Sequence, residues 1–179
     1  MKGIVFNLFE QTVVEAHGDQ AWEALLETTG LDGVYTSLGS YPDEDFFALA
    51  LAASEVLGTP LDDVVRWFGR GAMPLFEQRY PHLFTEHSQT RSFVLTLNDI
   101  IHPEVRKLYP GAIVPEFAFD ASDPDGLVMD YYSPRKLCAF AEGLLLGAAD
   151  HYGQTVQIQQ PQCMHRGDPR CRLEIAFGR

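Results

Sequence analysis

The stretch "DYYSPRK", Asp130–Lys136, sets three hydrogen-bonding side chains, Tyr131, Ser133 and Arg135, at alternate positions. In an extended segment successive side chains point to opposite faces, so these three share one face. Pro134 has no N–H to give a sheet ladder, which places the stretch at a strand end or edge. A phenol, a hydroxyl and a forked guanidinium on one face suit one or two carboxylates, because Arg grips carboxylate bidentately. The same residues also read as a polar strand face running into a helix, with Ser133 as N-cap and Pro134 in the first turn. That second reading leaves Tyr131 unexplained.

Working outward, the chain changes period near residue 110. After it the pattern is short and alternating. "AIVPEFAFD" (112–120) alternates around Phe117 and Phe119, "GLVMDYYS" (126–133) follows a Ser-Asp-Pro-Asp-Gly turn, and "TVQIQQ" (155–160) and "CRLEIAF" (171–177) both read with period two. Between the second and third, "RKLCAFAEGLLLGAADHYG" (135–153) is Ala- and Leu-rich and helical. Links of hairpin length join the first strand to the second and the third to the fourth, so an antiparallel sheet is expected. Before residue 110 helical spacing dominates, as in Val13-Val14, Trp22 and Leu25-Leu26, then Phe46-Phe47, Leu49, Leu51 and Val56-Leu57. "TPLDDVVRWFGRGAMPLF" (59–76) opens with Thr59 as N-cap and Pro60 at the first helical position, and Gly69 and Gly71 are expected to loosen or end that helix before Pro74. The fold class is α+β: a helical N-terminal half packed on a four-stranded antiparallel sheet with an inserted helix. No repeats or linkers are visible, so residues 1–179 are expected to form one domain.

Composition excludes several classes. A formal charge of −12, from 13 Lys and Arg against 25 acids, argues against a nucleic-acid partner, since phosphate backbones are bound by neutralising them. No apolar run approaches the ~20 residues of a membrane span. "MKGIVFNLFEQ" lacks the apolar run and cleavage site of a secretory signal, so a cytoplasmic location is expected. The three cysteines, Cys138, Cys163 and Cys171, are an odd number and do not suggest a disulfide framework.

In "NDIIHPEVRKLYPG" (98–111) an apolar helical stripe of Val94, Leu97, Ile101, Val105 and Leu108 runs beside His102. Pro103 disfavours helical geometry at His102, so the helix breaks or restarts there. An imidazole emerging at a helix irregularity beside an apolar wall can ligate a metal; it can equally be a satisfied structural histidine. An apolar ligand with two carboxylates and an axial site for one histidine describes haem.

Taken together, Tyr131-x-Ser133-x-Arg135 and the upstream His102-Pro103 resemble the H-NOX (haem nitric oxide/oxygen binding) domain. The resemblance runs from "MKGIVFNLFE" through "HPEVRKLYPGA" and "YYSPRKLC" to "CMHRGDPRC". It implies haem b between the helical half and the sheet, with His102 as the proximal iron ligand and Tyr131, Ser133 and Arg135 on the propionates. It also implies that Pro115 presses on the porphyrin. Oxygen-binding members carry a tyrosine five residues after the motif arginine; here that position is Phe140. Phe9 and Pro74 stand where such members have supporting polar residues. The resemblance therefore implies a sensor of nitric oxide, with carbon monoxide as a further ligand and no catalytic activity. The partner it implies is a separate sensor histidine kinase or cyclic-di-GMP enzyme. A haem peroxidase would need a polar distal acid–base group, and none is visible near Phe9, Pro74 or Phe140.

Some relatives bind structural zinc through three such cysteines and a histidine three residues before the first strand cysteine. This chain has Gln160 there, and glutamine is a poor zinc ligand. His165 is then the candidate fourth ligand beside Cys138, Cys163 and Cys171. Three reduced thiols packed under the sheet, or a zinc/thiol redox switch built on them, are the alternatives.

Overall fold

The computed structural model describes residues 1–178. Four helices build the N-terminal half: α1 (Gly3–His17), α2 (Asp19–Thr29), α3 (Asp43–Leu57) and α4 (Leu61–Arg79). A short helix, α5 (Thr90–Val94), leads to a π-helical turn over Leu97–Ile101 and then to α6 (His102–Leu108). Strands β1 (Glu116–Asp120) and β2 (Gly126–Tyr132) precede α7 (Cys138–His151), and β3 (Thr155–Gln162) and β4 (Cys171–Gly178) follow it. The sheet has the order β1-β2-β4-β3 and every pairing is antiparallel. The expected α+β architecture is therefore present, inserted helix included. Among the described residues no helix is long and apolar enough to cross a membrane.

Period-two alternation becomes burial directly. In β2 the register sets Phe117 against Tyr131 and Tyr131 against Cys171, so one sheet face carries an apolar row. Leu127, Met129, Leu173 and Ile175 from that face pack under Leu145 and Ala148 of α7. The helical half has its own core, in which Phe9, Phe46 and Phe68 meet edge-on or tilted with centroids 4.9–5.9 Å apart.

Three local expectations fail. α4 does not end at Gly69 or Gly71; it runs unbroken through both and contains Pro74. Gly69 serves a crossing with α7 instead, while Gly71 faces the Thr12 side chain of α1. A Cβ on Gly143 would lie 2.1 Å from the Arg66 carbonyl oxygen, and one on Gly69 would lie 2.5 Å from that of Phe140. Ion pairs flank the crossing, from Arg66 Nε to buried Glu142 at 2.7 Å and from Arg70 Nε to Asp150 at 2.6 Å. Nor does Ser133 cap a helix: α7 starts only at Cys138, and Ser133 Oγ accepts the Arg135 N–H at 3.3 Å within a turn. Thr59 likewise makes no N-cap hydrogen bond to α4, which Pro60 precedes in extended geometry.

Gly143→Ala follows as a sign test. In an unconstrained helix this change stabilises by up to about 1 kcal/mol. Here the methyl meets backbone, which cannot swing aside, and the α4–α7 crossing must open at a cost of about 1–3 kcal/mol. A lower urea midpoint is expected; an unchanged or higher one would contradict the close-approach account.

Candidate functional site

Between the two halves lies an apolar cavity of ≈ 410 Å³. That is within the ~300–1,000 Å³ range of small-molecule and cofactor sites. The stripe anticipated along the His102 segment, Val94, Leu97, Ile101, Val105 and Leu108, lines it, with His102 among them. His102 sits where the π-turn ends: its N–H reaches back five residues to Leu97 O, and Pro103 follows in the first turn of α6. The imidazole stacks on Phe117 of β1 with centroids 5.4 Å apart. Burial, reinforced by the Arg106 charge, pushes His102 down to about 4. The ring is therefore neutral at pH 7, the state in which histidine ligates a metal.

Tyr131, Ser133 and Arg135 all line the same cavity, as their alternation requires. Tyr131 and Ser133 are buried. The Tyr131 hydroxyl accepts the Leu137 N–H at 3.0 Å, and burial pushes the phenol up to about 12. Arg135 donates from Nε to Asp43 Oδ2 at 2.7 Å and from Nη1 to the Ile113 carbonyl at 2.8 Å. Asp43 also accepts from the Met1 ammonium at 2.5 Å. Partial burial of Asp43 raises its carboxyl, but hydrogen bonds from Arg135 and that ammonium prevail and hold it below the ordinary carboxylate value. Asp43 escaped the sequence reading because it stands 92 residues from Arg135, in the first turn of α3.

Pro115 and Phe140 reach the lining as well, beside Met73, Leu144 and Leu145. Phe9 does not. It is buried one layer back, edge-on to Phe68 at 4.9 Å, and Phe68 in turn stacks on Phe140 at 4.9 Å. The α1 periodicity buries Phe9, but it cannot say whether the ring meets cavity or core. Tyr80 and Tyr109 line the cavity too and share a phenol–phenol hydrogen bond.

A second cluster lies under the sheet. The Sγ atoms of Cys138, Cys163 and Cys171 lie within 4.8 Å of one another, and all three residues are buried and free of disulfides. Burial pushes the Cys138 thiol up to about 12, while the adjacent Gln160 amide pulls the other way without meeting hydrogen-bond geometry. Gln160 Nε2 is buried without a hydrogen-bond partner, at the irregularity between Gln159 and Gln162 in β3. His165, the expected fourth member, is not brought to the thiols. It is exposed, with Nε2 2.7 Å from the Lys136 carbonyl oxygen, because the 3-10 turn Met164–Arg166 carries it off the strand face.

Comparison with known proteins gives a consistent picture. The Haem-NO-binding family model matches residues 2–160. An H-NOX protein from Shewanella oneidensis, solved in an Fe(II)NO ligation state, is 36% identical, covers 100% of both chains and superposes with a TM-score of 0.93. An unliganded Fe(II) H-NOX protein from K. algicida is 26% identical over 100% of this chain and 97% of its own, with a TM-score of 0.89. An oxygen-binding H-NOX domain related to soluble guanylate cyclases shares the fold at 22% identity, over 99% of this chain and 95% of its own, with a TM-score of 0.83. No curated protein matches.

The lowered Asp43 carboxyl fixes a pH dependence. A carboxyl depressed on folding contributes stability that is present above its ordinary value, about 3.9, and lost as pH falls through the folded one. Asp43→Asn should therefore be less stable than the parent at neutral pH, and the gap should close below about pH 4. Denaturation midpoints of both proteins across that range measure it; a gap independent of pH would contradict the ion pair.

Proposed function

Because this chain belongs to the Haem-NO-binding family, whose H-NOX domains are haem-based gas sensors, we propose that it senses nitric oxide through haem b held in the cavity between its halves. One observation carries the reading: a single apolar cavity is lined by neutral His102, by the Tyr131–Ser133–Arg135 row and by Phe140. The donor set fits the group. His102 offers a nitrogen lone pair, and an apolar wall suits a porphyrin face. Tyr131, Ser133 and Arg135 supply two hydroxyls and a guanidinium for propionates. Pro115, in the lining beside β1, would support the porphyrin. When bound, haem would supply a ferrous iron that takes a diatomic ligand, with His102 as the residue that would hold it.

The chain's own residues do the rest. Selecting dioxygen requires a donor to steady the negative charge that develops on it. Phe140, Leu144, Leu145 and Met73 present only carbon and sulfur. Nitric oxide needs no such donor, and carbon monoxide shares that indifference. Buried Phe9 backs this wall from one layer behind, edge-on to Phe68, which stacks on Phe140. His102 begins α6 and stacks on Phe117 of β1, so a change in its position would be carried into α6. The reader of that movement is inferred to be a separate sensor histidine kinase or cyclic-di-GMP enzyme, and the protein itself binds rather than catalyses.

The thiol cluster supports a second reading at a separate place. Three thiols within 4.8 Å suit three positions of a tetrahedral zinc site, which would hold them as thiolates. The fourth position is contributed by neither His165 nor another His, Cys, Asp or Glu among the described residues. Purified protein should then carry zinc that Cys138→Ser abolishes, with haem content unaltered. Zinc-free parent protein would leave three packed thiols.

His102→Gly tests the main reading. The variant should lose stable haem loading and regain it with free imidazole, which refills the axial site. A wild-type ferrous spectrum without imidazole would contradict the assignment. Arg135→Ala leaves a propionate partly buried and unpaired, and should weaken haem retention by about 2–5 kcal/mol. Transfer of haem to an acceptor globin measures it, and unaltered transfer would remove Arg135 from the site.

A further inference from the structure

The segment that carries His102 is tied down at two ends to two different halves of the protein. At its start, Asn98 Nδ2 donates to the Phe117 carbonyl of β1 at 2.9 Å, which fixes it to the sheet. At its finish, Tyr109 closes α6 by donating its N–H to Val105 O at 2.8 Å. The Tyr109 side chain is 7% exposed and belongs to the core of the helical half, with Ile4, Phe6 and Phe68. Its hydroxyl shares a hydrogen bond with that of Tyr80. Tyr80 ends α4, with its N–H on Phe76 O at 2.8 Å.

Between the two ties lies a place that yields. The Thr96 carbonyl accepts two N–H groups, from Ile100 at 2.9 Å and Ile101 at 3.1 Å, and the His102 N–H reaches Leu97. Pro103 brings no N–H at all. A π-turn with a shared acceptor followed by proline is a weaker ladder than α-helix, and such turns recur at functional sites. Movement of His102 would therefore be absorbed here unless the other end of α6 were held.

We propose that the Tyr80–Tyr109 phenol pair is that hold: a latch joining the His102 segment to the end of α4, so that motion of His102 reaches the helical half instead of being taken up by the Leu97–Ile101 π-turn. The proposal rests on the sensor reading above. Burial and the Tyr80 contact raise the Tyr109 phenol well above its ordinary value, so the pair stays protonated and the bond persists at physiological pH. The two tyrosines are positioning residues: they also line the cavity, and the action on His102 assigned to them here runs through α6.

Hydrogen exchange on the haem-loaded ferrous protein tests the latch, using Tyr80→Phe, Tyr109→Phe and the double variant. Tyr152→Phe, which removes a different phenol hydrogen bond, to Phe84 O, serves as control. Without gas, each single variant should speed exchange in residues 102–109 and 76–80. The double variant should add nothing to the larger single effect, because one bond is lost either way. Tyr152→Phe should leave both segments as in the parent. With nitric oxide, the parent should change in both segments, whereas the variants should change in 102–109 and lose the response in 76–80. Additive effects, unaltered exchange without gas, or a surviving response in 76–80 would overturn the latch. A parent that responds to nitric oxide in neither segment would instead contradict the sensor reading, and the gas-free comparison would still decide whether the phenols hold α6.

Discussion

Backbone-to-backbone contact between α4 and α7 joins the two halves of this protein, and both helices contribute residues to the cavity wall. With no Cβ on Gly69 or Gly143, the helices approach until each glycine Cα lies where a side chain would otherwise stand. The approach turns Phe140 onto Phe68 and sets Met73, Leu144 and Leu145 along one wall. Buried Glu142, paired with Arg66, fixes the helices against sliding. A charge in that position is costly unless paired, so the pair specifies one register of α4 on α7 even where it adds little net stability.

Electrostatics divides the cavity into two regions. Near His102 the walls are apolar, and the imidazole is held neutral by burial and by the adjacent Arg106 charge. Near Tyr131, Ser133 and Arg135 the site is polar, and Asp43 already neutralises the guanidinium. A ligand with an apolar body and anionic arms would meet complementary surroundings at both ends. Its carboxylates would compete with Asp43 for Arg135, which couples occupancy of the cavity to the start of α3. The pairing with Asp43 explains why a guanidinium only 15% exposed is tolerated.

Much of this was legible in the sequence because it depends on short-range periodicity. The four strands and the shared face of Tyr131, Ser133 and Arg135 follow from alternation, the inserted helix from its Ala- and Leu-rich run, and the His102 stripe from helical spacing. What was not legible depends on partners far along the chain. Gly69 and Gly71 look like helix breakers until α7 is packed against the first and α1 against the second, and Arg135 gives no hint of Asp43. His165 looks close to Cys163 by number, but a 3-10 turn carries it away and leaves Gln160 facing the thiols. Phe9 reads as apolar, yet only the tertiary packing says that Phe68 and Phe140 stand between it and the cavity.

Nitric oxide sensing, as proposed, rests on this apolar cavity, with His102 in its wall and Phe140, Leu144, Leu145 and Met73 presenting only carbon and sulfur. The most direct measurement is the absorption spectrum of the purified, reduced protein under nitrogen, then under nitric oxide, and separately in air-saturated buffer. The account predicts a ferrous haem spectrum that changes at once with nitric oxide and yields no stable oxygen complex in air. A persistent oxygen complex, or a reduced protein that holds no haem, would contradict it.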